Sequence, residues 1–302
     1  MQQVATHRGP LVWRDMDQKA LDDAYDQLVY APNRDFVLGR ANLASERVRQ
    51  ILGMPERVAY GPSEHERLDI FRALTPAGAP AGAPAPINIF VHGGAWLSSS
   101  AANNALFAEP VVRAGGHAVM LDFINAKQSD GDLFPLYQQV SRAIAFIWRH
   151  AEDFGGDRNR LYVSAASSGA HLAACALSRG WREEGLPADF CKGAVLCSGM
   201  YDLEPVRLSK RSTYIKFTDQ MERDLSPQRH LDGVTTPLIL AHGTCETPEF
   251  VRQTRDFFAA LSSAGKPATL IVGEGYNHFE LFETMANPYG LIGRARLQQM
   301  AL

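Results

Sequence analysis

The sequence predicts an α/β fold with a mostly parallel central sheet, helices on both faces and a small helical excursion. From residue 87 onward, short apolar runs alternate with segments of helical periodicity. The runs are almost continuously apolar, as is typical of parallel strands that are buried on both faces. This alternation favours βαβ units and a sheet covered by two helical layers.

The composition fits one folded domain over residues 1–302. Apolar residues make up 46% and charged residues 21%, which excludes a disordered or coiled-coil chain. A net charge of -3 argues against a nucleic-acid partner, which needs a concentrated basic surface. No apolar run approaches the ~20 residues of a membrane helix, and no signal peptide is evident. The four cysteines show no CxxC spacing, so we expect reduced thiols and a cytoplasmic location.

Helical and strand periodicity place the elements in chain order. Residues 1–55 are predicted to form a helical N-terminal segment, in which Leu21, Tyr25, Leu28 and Val29 share one face. Strands are predicted at 57–60, 67–72, 87–91, 117–123, 160–163, 194–197, 238–241 and 268–272. Helices are predicted at 37–51, 136–154, 170–179, 251–264 and 289–300.

Two segments interrupt the alternation. The Pro/Gly/Ala repeat at 75–86 cannot form a core and is interpreted as a surface loop. Residues 204–236 are polar and charged without a clear strand, and we expect a cap-like helical excursion above the sheet.

The segment LYVSAASSGAHLA, residues 161–173, predicts a nucleophile. A strand leads into a tight turn at Ser167, and a helix rich in small residues follows. In a nucleophile elbow this turn lifts one hydroxyl above the sheet edge and places the next backbone N–H, that of Ser168, near a developing oxyanion. Ala165 replaces the first glycine of the full G-x-S-x-G motif. The alternative is a small-residue turn that only begins a helix.

The segment HGGAW, residues 92–96, predicts an oxyanion loop directly after the INIFV strand. Glycines here allow backbone N–H groups to point inward. Gly94 and Ala95 are the expected donors, Gly93 shapes the turn, and Trp96 is assigned to the same oxyanion and substrate-binding group. A plain Gly-Gly turn is the alternative.

A histidine and an acid complete the predicted site. His278 follows the last strand in an apparent loop and is well placed as a general base. Its imidazole needs a carboxylate that fixes the tautomer, and Glu246 after a late strand offers one. Asp202, after an earlier strand, and Glu249, at a helix start, are the alternatives.

No metal or cofactor is predicted. The chain has no HExxH motif, no P-loop and no GxGxxG after a strand. The other histidines that lie in motifs, His92, His171 and His242, are interpreted as structural.

Together these segments resemble the α/β-hydrolase family, and within it the branch of kynurenine formamidases (arylformamidases) and related bacterial esterases and amidases. The resemblance covers nearly the whole chain, through YGPSEHERLDIFR, HGGAW, FGGDRNRLYVSAASSGAHLA, SGMYDLEPVRLS, LSPQRHL, HGTCETPEFVRQT and NHFELFE. It implies that Ser167 is the nucleophile, Glu246 the acid and His278 the base, in the chain order expected of this fold. It also implies that the oxyanion lies among Gly94, Ala95 and Ser168.

The chain departs from that branch in two places. Ala165 and Ala166 stand where such formamidases usually have Gly and His, and LDFINAKQ at 121–128 replaces a DYRL-like run. Both segments are expected to lie close to the substrate, so they bear on its identity more than on the hydrolytic chemistry.

The predicted function is a serine hydrolase that cleaves a small-molecule ester or amide of an aryl amine or aromatic acid through an acyl-enzyme. A broad carboxylesterase is the alternative enzyme, and an inactive ligand-binding homologue is the alternative of another class. Arg207, Lys210 and Arg211 in the excursion are candidates to bind a substrate carboxylate, with a solvated charged face as the alternative. We expect no membrane partner, and a homodimer stays open.

Overall fold

The computed structural model describes residues 9–74 and 82–302, and most of the predicted loop at 75–86 lies outside them. Within the described residues the strands are β1 Leu11–Trp13, β2 Met16–Asp17, β3 Glu56–Ala59, β4 Arg67–Phe71, β5 Ala85–Val91, β6 His117–Leu121, β7 Gly156–Ala166, β8 Gly193–Cys197, β9 Leu238–Gly243 and β10 Ala268–Gly273. Each predicted strand is therefore present, with ends that differ by a few residues.

The central sheet has the strand order β10-β9-β8-β7-β5-β6-β4-β3. β4 runs antiparallel to both β3 and β6, and the other neighbours are parallel. β7 lies at the centre, where Val163 is opposite Ile89 on one side and Ala194 on the other. The mostly parallel sheet that the sequence predicts is confirmed.

Helices cover both faces of this sheet. They are α1 Gln18–Ala24, α2 Gln27–Tyr30, α3 Arg34–Leu52, α4 Ala108–Arg113, α5 Phe134–Arg149, α6 Ser168–Cys175, α7 Trp181–Glu183, α8 Glu204–Leu208, α9 Asp219–Asp224, α10 Pro248–Ser263, α11 His278–Glu283 and α12 Leu291–Gln299. In β7, Leu161 and Val163 join one buried apolar cluster with α5 and α10, whereas Tyr162 joins another with α4 and α12. This alternation along one strand places the two helical layers on opposite faces.

The long helices α5 and α10 follow from local sequence. In α5, Leu136, Val140, Ile144 and Ile147 recur at helical spacing and are all buried. α10 begins with Pro248 at its first position, and the Thr247 side chain accepts a hydrogen bond from the Phe250 N–H.

The single amphipathic face predicted for the N-terminal segment is wrong. α1 ends at Ala24, and Asp26 caps a new short helix by accepting from the Leu28 N–H. Leu28 and Val29 are consequently 53% exposed, whereas Tyr25 is buried. A capping aspartate between the two helices competes with a continuous helix, which is why periodicity alone misjudged the segment. The β1–β2 hairpin before α1 was not predicted either.

The excursion at 204–236 is helical, as expected. It contains α8, α9 and short 3₁₀ turns, and it lies against the N-terminal segment. The Gln18 side-chain amide donates to the Leu208 carbonyl at 2.9 Å, and the Lys210 N–H donates to Asp22 at 2.6 Å. Two segments far apart in sequence therefore meet on one side of the molecule.

His171 attaches the excursion to α6 and should make the protein less stable in acid. Its buried Nε2–H donates to the Leu225 carbonyl at 2.8 Å, and burial lowers its pKa from 6.5 to about 4. Between those two values the unfolded chain binds the proton more readily, so stability falls by up to about 3 kcal/mol as pH drops from 6.5 towards 4. Urea unfolding from pH 7 to 4 should give a shallower pH slope for His171→Gln than for wild type. An unchanged slope would contradict this role.

Candidate active site

The strand-to-helix turn that the sequence predicts at Ser167 is present and strained. β7 ends at Ala166 and α6 begins at Ser168, so Ser167 alone makes the turn, with φ 54° and ψ -127°. Residues other than glycine rarely adopt a positive φ, and strained backbone conformations cluster at active sites. The Ser167 N–H donates to the Cys197 carbonyl at 2.8 Å, which holds this conformation.

Close packing around the elbow explains its small residues. A Cβ at Gly169 would lie 2.3 Å from the carbonyl oxygens of both His92 and Val91, so only glycine fits there. Ala165, in contrast, is fully buried in β7 and stays in register with Val91 of β5. The methyl group that replaces the first motif glycine is therefore accommodated without loss of the turn.

Three side chains from distant parts of the chain meet at this turn. His278 Nε2 lies 3.0 Å from Ser167 Oγ, and His278 Nδ1 lies 2.6 Å from Glu246 Oε2. Nδ1 must carry the proton to donate to the carboxylate, which leaves the Nε2 lone pair facing the serine hydroxyl. All three side chains are buried, so little water competes for these bonds.

His278 occupies the first turn of a helix and not the loop that was predicted. The Asn277 side chain caps α11, and Glu280 reaches back to the Asn277 N–H at 3.1 Å. Phe250 and Phe282 contact the imidazole edge-on, with centroids 5.0 and 4.6 Å away. The capping box N-x-x-E at 277–280 was a readable signal for this helix.

Glu246 is the acid that reaches the histidine. Its second oxygen, Oε1, accepts from the Ser198 hydroxyl and from the Gly243 N–H, both at 2.6 Å. Three hydrogen bonds therefore fix a carboxylate that is almost fully buried.

The two alternative acids point elsewhere. Asp202 accepts from Arg229 at 3.2 Å within the excursion. Glu249 accepts from the Tyr25 hydroxyl at 3.0 Å and pairs with Arg252. Their carboxylates serve local packing, which leaves Glu246 as the partner of the histidine.

Ser198 is a positioning residue that sequence reasoning missed. It follows β8 directly, has φ 51° and is fully buried. A Ser-Gly pair at the end of a buried strand, next to the elbow strand, was the available signal.

Ser198→Ala should lower kcat about ten- to a hundredfold with little change in KM, because the loss of a hydrogen bond to a buried charge costs about 1.5–3 kcal/mol. Ser178→Ala is the matched control, since that hydroxyl is equally buried but donates to the Cys175 carbonyl. Steady-state kinetics measures both variants. If they have equal kcat values, Ser198 does not act through Glu246.

The predicted oxyanion donors are unpaired. In the described part of the chain, the backbone N–H groups of Gly94, Ala95 and Ser168 have no hydrogen-bond acceptor. Gly94 and Ala95 both have positive φ, 105° and 57°. The Trp96 N–H donates to the Ser168 hydroxyl at 3.1 Å and so ties the loop to α6. Free N–H groups on two sides of one serine are what an oxyanion hole requires.

Gly93 and His92 hold this loop against the elbow. A Cβ at Gly93 would lie 2.9 Å from the Ala166 carbonyl oxygen, so the close approach needs glycine. His92 Nδ1–H donates to the Gly93 carbonyl at 2.9 Å, and its ring stacks on Phe123. Burial lowers the His92 pKa, so the ring is neutral and braces the loop as predicted.

The substrate-binding assignment of Trp96 is wrong. The indole is only 2% exposed, packs edge-on against His171 and does not line the cavity that contains Ser167. Its volume fills the space behind the oxyanion loop, because the positive φ of Trp96 turns the chain inward there.

A cavity of about 540 Å³ opens at Ser167 and His278. The oxyanion loop, the N-terminal segment and the excursion all contribute to its wall. Its aromatic side chains are Tyr25, Tyr214, Phe279 and Phe282. Its charged side chains, apart from the histidine, are Asp26, Arg34, Lys210 and Arg211, so cations outnumber acids on this wall. A volume of this size accepts a small aromatic molecule.

Three cations were predicted to bind a substrate carboxylate, and for Arg207 this prediction is wrong. It pairs with Asp219 at 2.6 Å and Glu222 at 3.2 Å, and it does not line the cavity. α8 ends at Leu208, and the chain then turns so that only the following Lys210 and Arg211 face the cavity.

Neither a metal cluster nor a membrane helix occurs in residues 9–74 and 82–302. No group of three His, Cys, Asp or Glu side chains there could hold a metal ion. No helix in those ranges is long and apolar enough to span a bilayer.

The chain is similar in sequence to known hydrolytic enzymes. A family model described as BD-FAE matches residues 69–184. Kynurenine formamidase from Danio rerio is 28% identical over 300 residues, covering 95% of this chain and 98% of that protein. The chain has the α/β-hydrolase fold and is similar to kynurenine formamidases over nearly its whole length. Kynurenine formamidase from Salmo salar is likewise 28% identical, covering 91% of this chain and 94% of that protein.

Other proteins similar to this chain are esterases. Esterase LipC from Mycobacterium tuberculosis is 28% identical over 229 residues, covering 70% of this chain and 55% of that protein. Among solved structures, esterase LipW from Mycobacterium marinum has a TM-score of 0.69 at 17% identity, covering 92% of this chain and 90% of that one. The propionate-bound esterase Est2 from Thermogutta terrifontis has a TM-score of 0.65 at 20% identity, covering 82% of this chain and 95% of that one. The α/β-hydrolase fold predicted from the sequence is confirmed.

Proposed function

We propose that Ser167, His278 and Glu246 form the catalytic triad of this hydrolase. The continuous chain of contacts from Ser167 Oγ to His278 at 3.0 Å and from His278 to Glu246 at 2.6 Å supports this assignment. The three side chains lie at a strained elbow beside unpaired backbone N–H groups. A purely structural role for them does not explain this arrangement.

The geometry suits acyl transfer in two steps. His278 Nε2 takes the proton of Ser167 as Oγ attacks the substrate carbonyl, and Glu246 stabilises the resulting imidazolium. The N–H groups of Gly94, Ala95 and Ser168 bind the oxyanion that forms. His278 then returns the proton to the leaving amine or alcohol, which departs and leaves an acyl-enzyme. Water activated by the same histidine releases the acid.

The substrate proposed here is a small aryl amide, of the formamide type, with a negative charge. Likeness to the kynurenine formamidases over almost the whole chain supports the amide. The aromatic wall of the cavity supports an aromatic leaving group, and the excess of cations on that wall supports the charge.

A carboxylesterase is the second candidate. Esterase LipC and the plant isoprenylcysteine methylesterases match a large part of the chain. A cavity of about 540 Å³ also leaves space for an acyl group larger than formyl.

A matched set of substrates separates the two candidates. We expect kcat/KM for formanilide to exceed that for acetanilide by at least tenfold, because a formyl group fits between the elbow and the oxyanion loop with least crowding. p-Nitrophenyl acetate and p-nitrophenyl butyrate report esterase activity in parallel. If the esters are cleaved and neither anilide is, the carboxylesterase candidate replaces the formamidase one.

Two further features stay predictions. A cytoplasmic location is supported by the four cysteines, which are all unpaired. A homodimer is tested by sedimentation velocity at micromolar concentration.

A further inference from the structure

Arg211 is an unusual residue in the wall of the cavity. It is only 5% exposed, yet it lines the same cavity as Ser167 and His278. Guanidinium groups are rarely buried without a carboxylate, because removing the charge from water is costly.

The contacts of Arg211 are with neutral groups. Nη1 donates to the Tyr214 hydroxyl at 2.7 Å and Nη2 donates to the Tyr25 carbonyl at 3.3 Å. The guanidinium carbon also lies over the rings of Trp96, Tyr25 and Phe250, at 5.5, 5.9 and 5.9 Å from the centroids. Nε is buried and has no hydrogen-bond partner among residues 9–74 and 82–302.

The neighbouring cations of the excursion all have carboxylate partners. Arg207 pairs with Asp219 and Glu222, Lys210 with Asp26, and Lys216 with Asp130. Within the part of the chain that the structure describes, no carboxylate pairs with Arg211.

Asp26, the acid of the cavity wall, is already engaged. Burial opposes its ionisation, but hydrogen bonds from the Lys210 ammonium and the Leu28 N–H, together with the charges of Lys210 and Arg211, lower its pKa. It stays a carboxylate bonded to Lys210, and Arg211 remains the cation of this wall that lacks its own counter-ion.

We propose that Arg211 is the specificity residue that binds a carboxylate of the substrate, so that this hydrolase prefers anionic aryl esters and amides. The inference rests on the proposed function of the site. A guanidinium has five N–H donors, and the contacts above use two of them. The bond that Arg211 donates to Tyr214 and the three rings hold the guanidinium in place, so a carboxylate meets donors that are already oriented.

The position of Arg211 also sets where the carboxylate lies. Arg211 stacks on Trp96, which directly follows the predicted oxyanion donors Gly94 and Ala95. The substrate's charge therefore lies on the side of the cavity formed by Tyr25 and Tyr214.

The competing explanation is that Arg211 only joins the N-terminal segment to the excursion through Tyr25 and Tyr214. A matched pair of substrates distinguishes the two, namely 3-acetoxybenzoate and its neutral analogue 3-acetoxybenzamide, with phenol release as the readout. We expect wild type to favour the anion. Arg211→Gln should lose ten- to a hundredfold in kcat/KM on the anion, mainly through KM, and less than threefold on the amide.

Two control variants complete the kinetic test. Arg211→Lys keeps the charge without the planar pair of donors and should retain part of the preference. Arg207→Gln removes a cation of the same excursion that lies outside the cavity. It should leave kcat/KM for both substrates unchanged. An equal loss on both substrates in Arg211→Gln would show a structural role only and overturn the proposal.

A binding measurement on unaltered protein covers the case in which Arg211→Gln does not fold. Benzoate should slow labelling of wild type by a fluorophosphonate at lower concentration than benzamide does. If benzamide protects equally well, or if wild type does not favour 3-acetoxybenzoate, the carboxylate subsite is wrong. Turnover of 3-acetoxybenzamide that Ser167→Ala abolishes would still support the proposed hydrolase, so the two failures are distinguishable.

Discussion

Ser167→Ala is expected to abolish turnover while the protein stays folded. Removing the nucleophile of a serine hydrolase costs about 10⁶ in kcat, since without its attack on the carbonyl no acyl-enzyme forms. Ser167 Oγ makes one side-chain hydrogen bond, to His278, so the fold loses little when the hydroxyl is removed. Steady-state kinetics measures the loss, and thermal unfolding confirms that the variant is intact.

Ser164→Ala is the matched control for that variant. Ser164 lies on β7, the strand that leads into Ser167, and is fully buried, but its hydroxyl accepts a hydrogen bond from Asn88 within the sheet. It should keep most of the activity. A Ser167→Ala protein with more than a few per cent of wild-type activity would show that another serine is the nucleophile.

A fluorophosphonate probe tests the same residue without a substrate. Wild type should form a stable adduct, and peptide mapping should place it on Ser167. This result separates an active hydrolase from a ligand-binding homologue that has lost catalysis. Folded wild-type protein without an adduct would refute the proposed triad.

Glu246→Gln is expected to reduce kcat by about 10⁴, the loss that follows when a triad acid becomes an amide and the imidazole takes the wrong tautomer. A glutamine amide at that position donates to His278 Nδ1, so the imidazole proton moves to Nε2 and the base is lost. The two bonds that Oε1 accepts from Ser198 and Gly243 can be kept by the amide oxygen. The side chain therefore stays in place while its chemistry changes.

Asp202→Asn is the control for the acid. It removes a charge from a partner of Arg229 in the excursion, at a site that does not contact His278. We expect less than a fivefold change in kcat. A larger loss in Asp202→Asn than in Glu246→Gln would assign the acid to the end of β8.

The elbow and the oxyanion loop could be read from the sequence because both are built from adjacent residues. A buried strand, a tight turn and a small-residue helix N-terminus follow one another in 161–173, and glycines follow the INIFV strand. The elbow and the oxyanion loop approach each other closely, and the sequence shows this through glycines at positions 93 and 169. At Gly93 and Gly169 a Cβ would collide with backbone atoms. Local sequence carries such information whatever the rest of the chain does.

The choice of acid needed the folded structure. β8 and β9 are parallel neighbours, so Asp202 and Glu246 both follow strand ends at the same edge of the sheet. The spacing of residues along a chain says which edge a side chain occupies but not which way it points. Only the bond of Glu246 to His278, and of Asp202 to Arg229, separates them.

The strands, the two helical layers and the predicted position of the nucleophile could therefore be read from the sequence alone, since burial and turn geometry are encoded in short segments. The order of the strands in the sheet came only from the structure. The partner of each charged side chain was decided by the tertiary structure. Lys210 meets Asp26 and Arg211 meets Tyr25 only because the N-terminal segment folds against the excursion, about 185 residues away in the chain. Charge runs look alike in sequence, and the difference between a surface ion pair such as Arg207–Asp219 and an unpaired cation in a cavity arises from long-range packing.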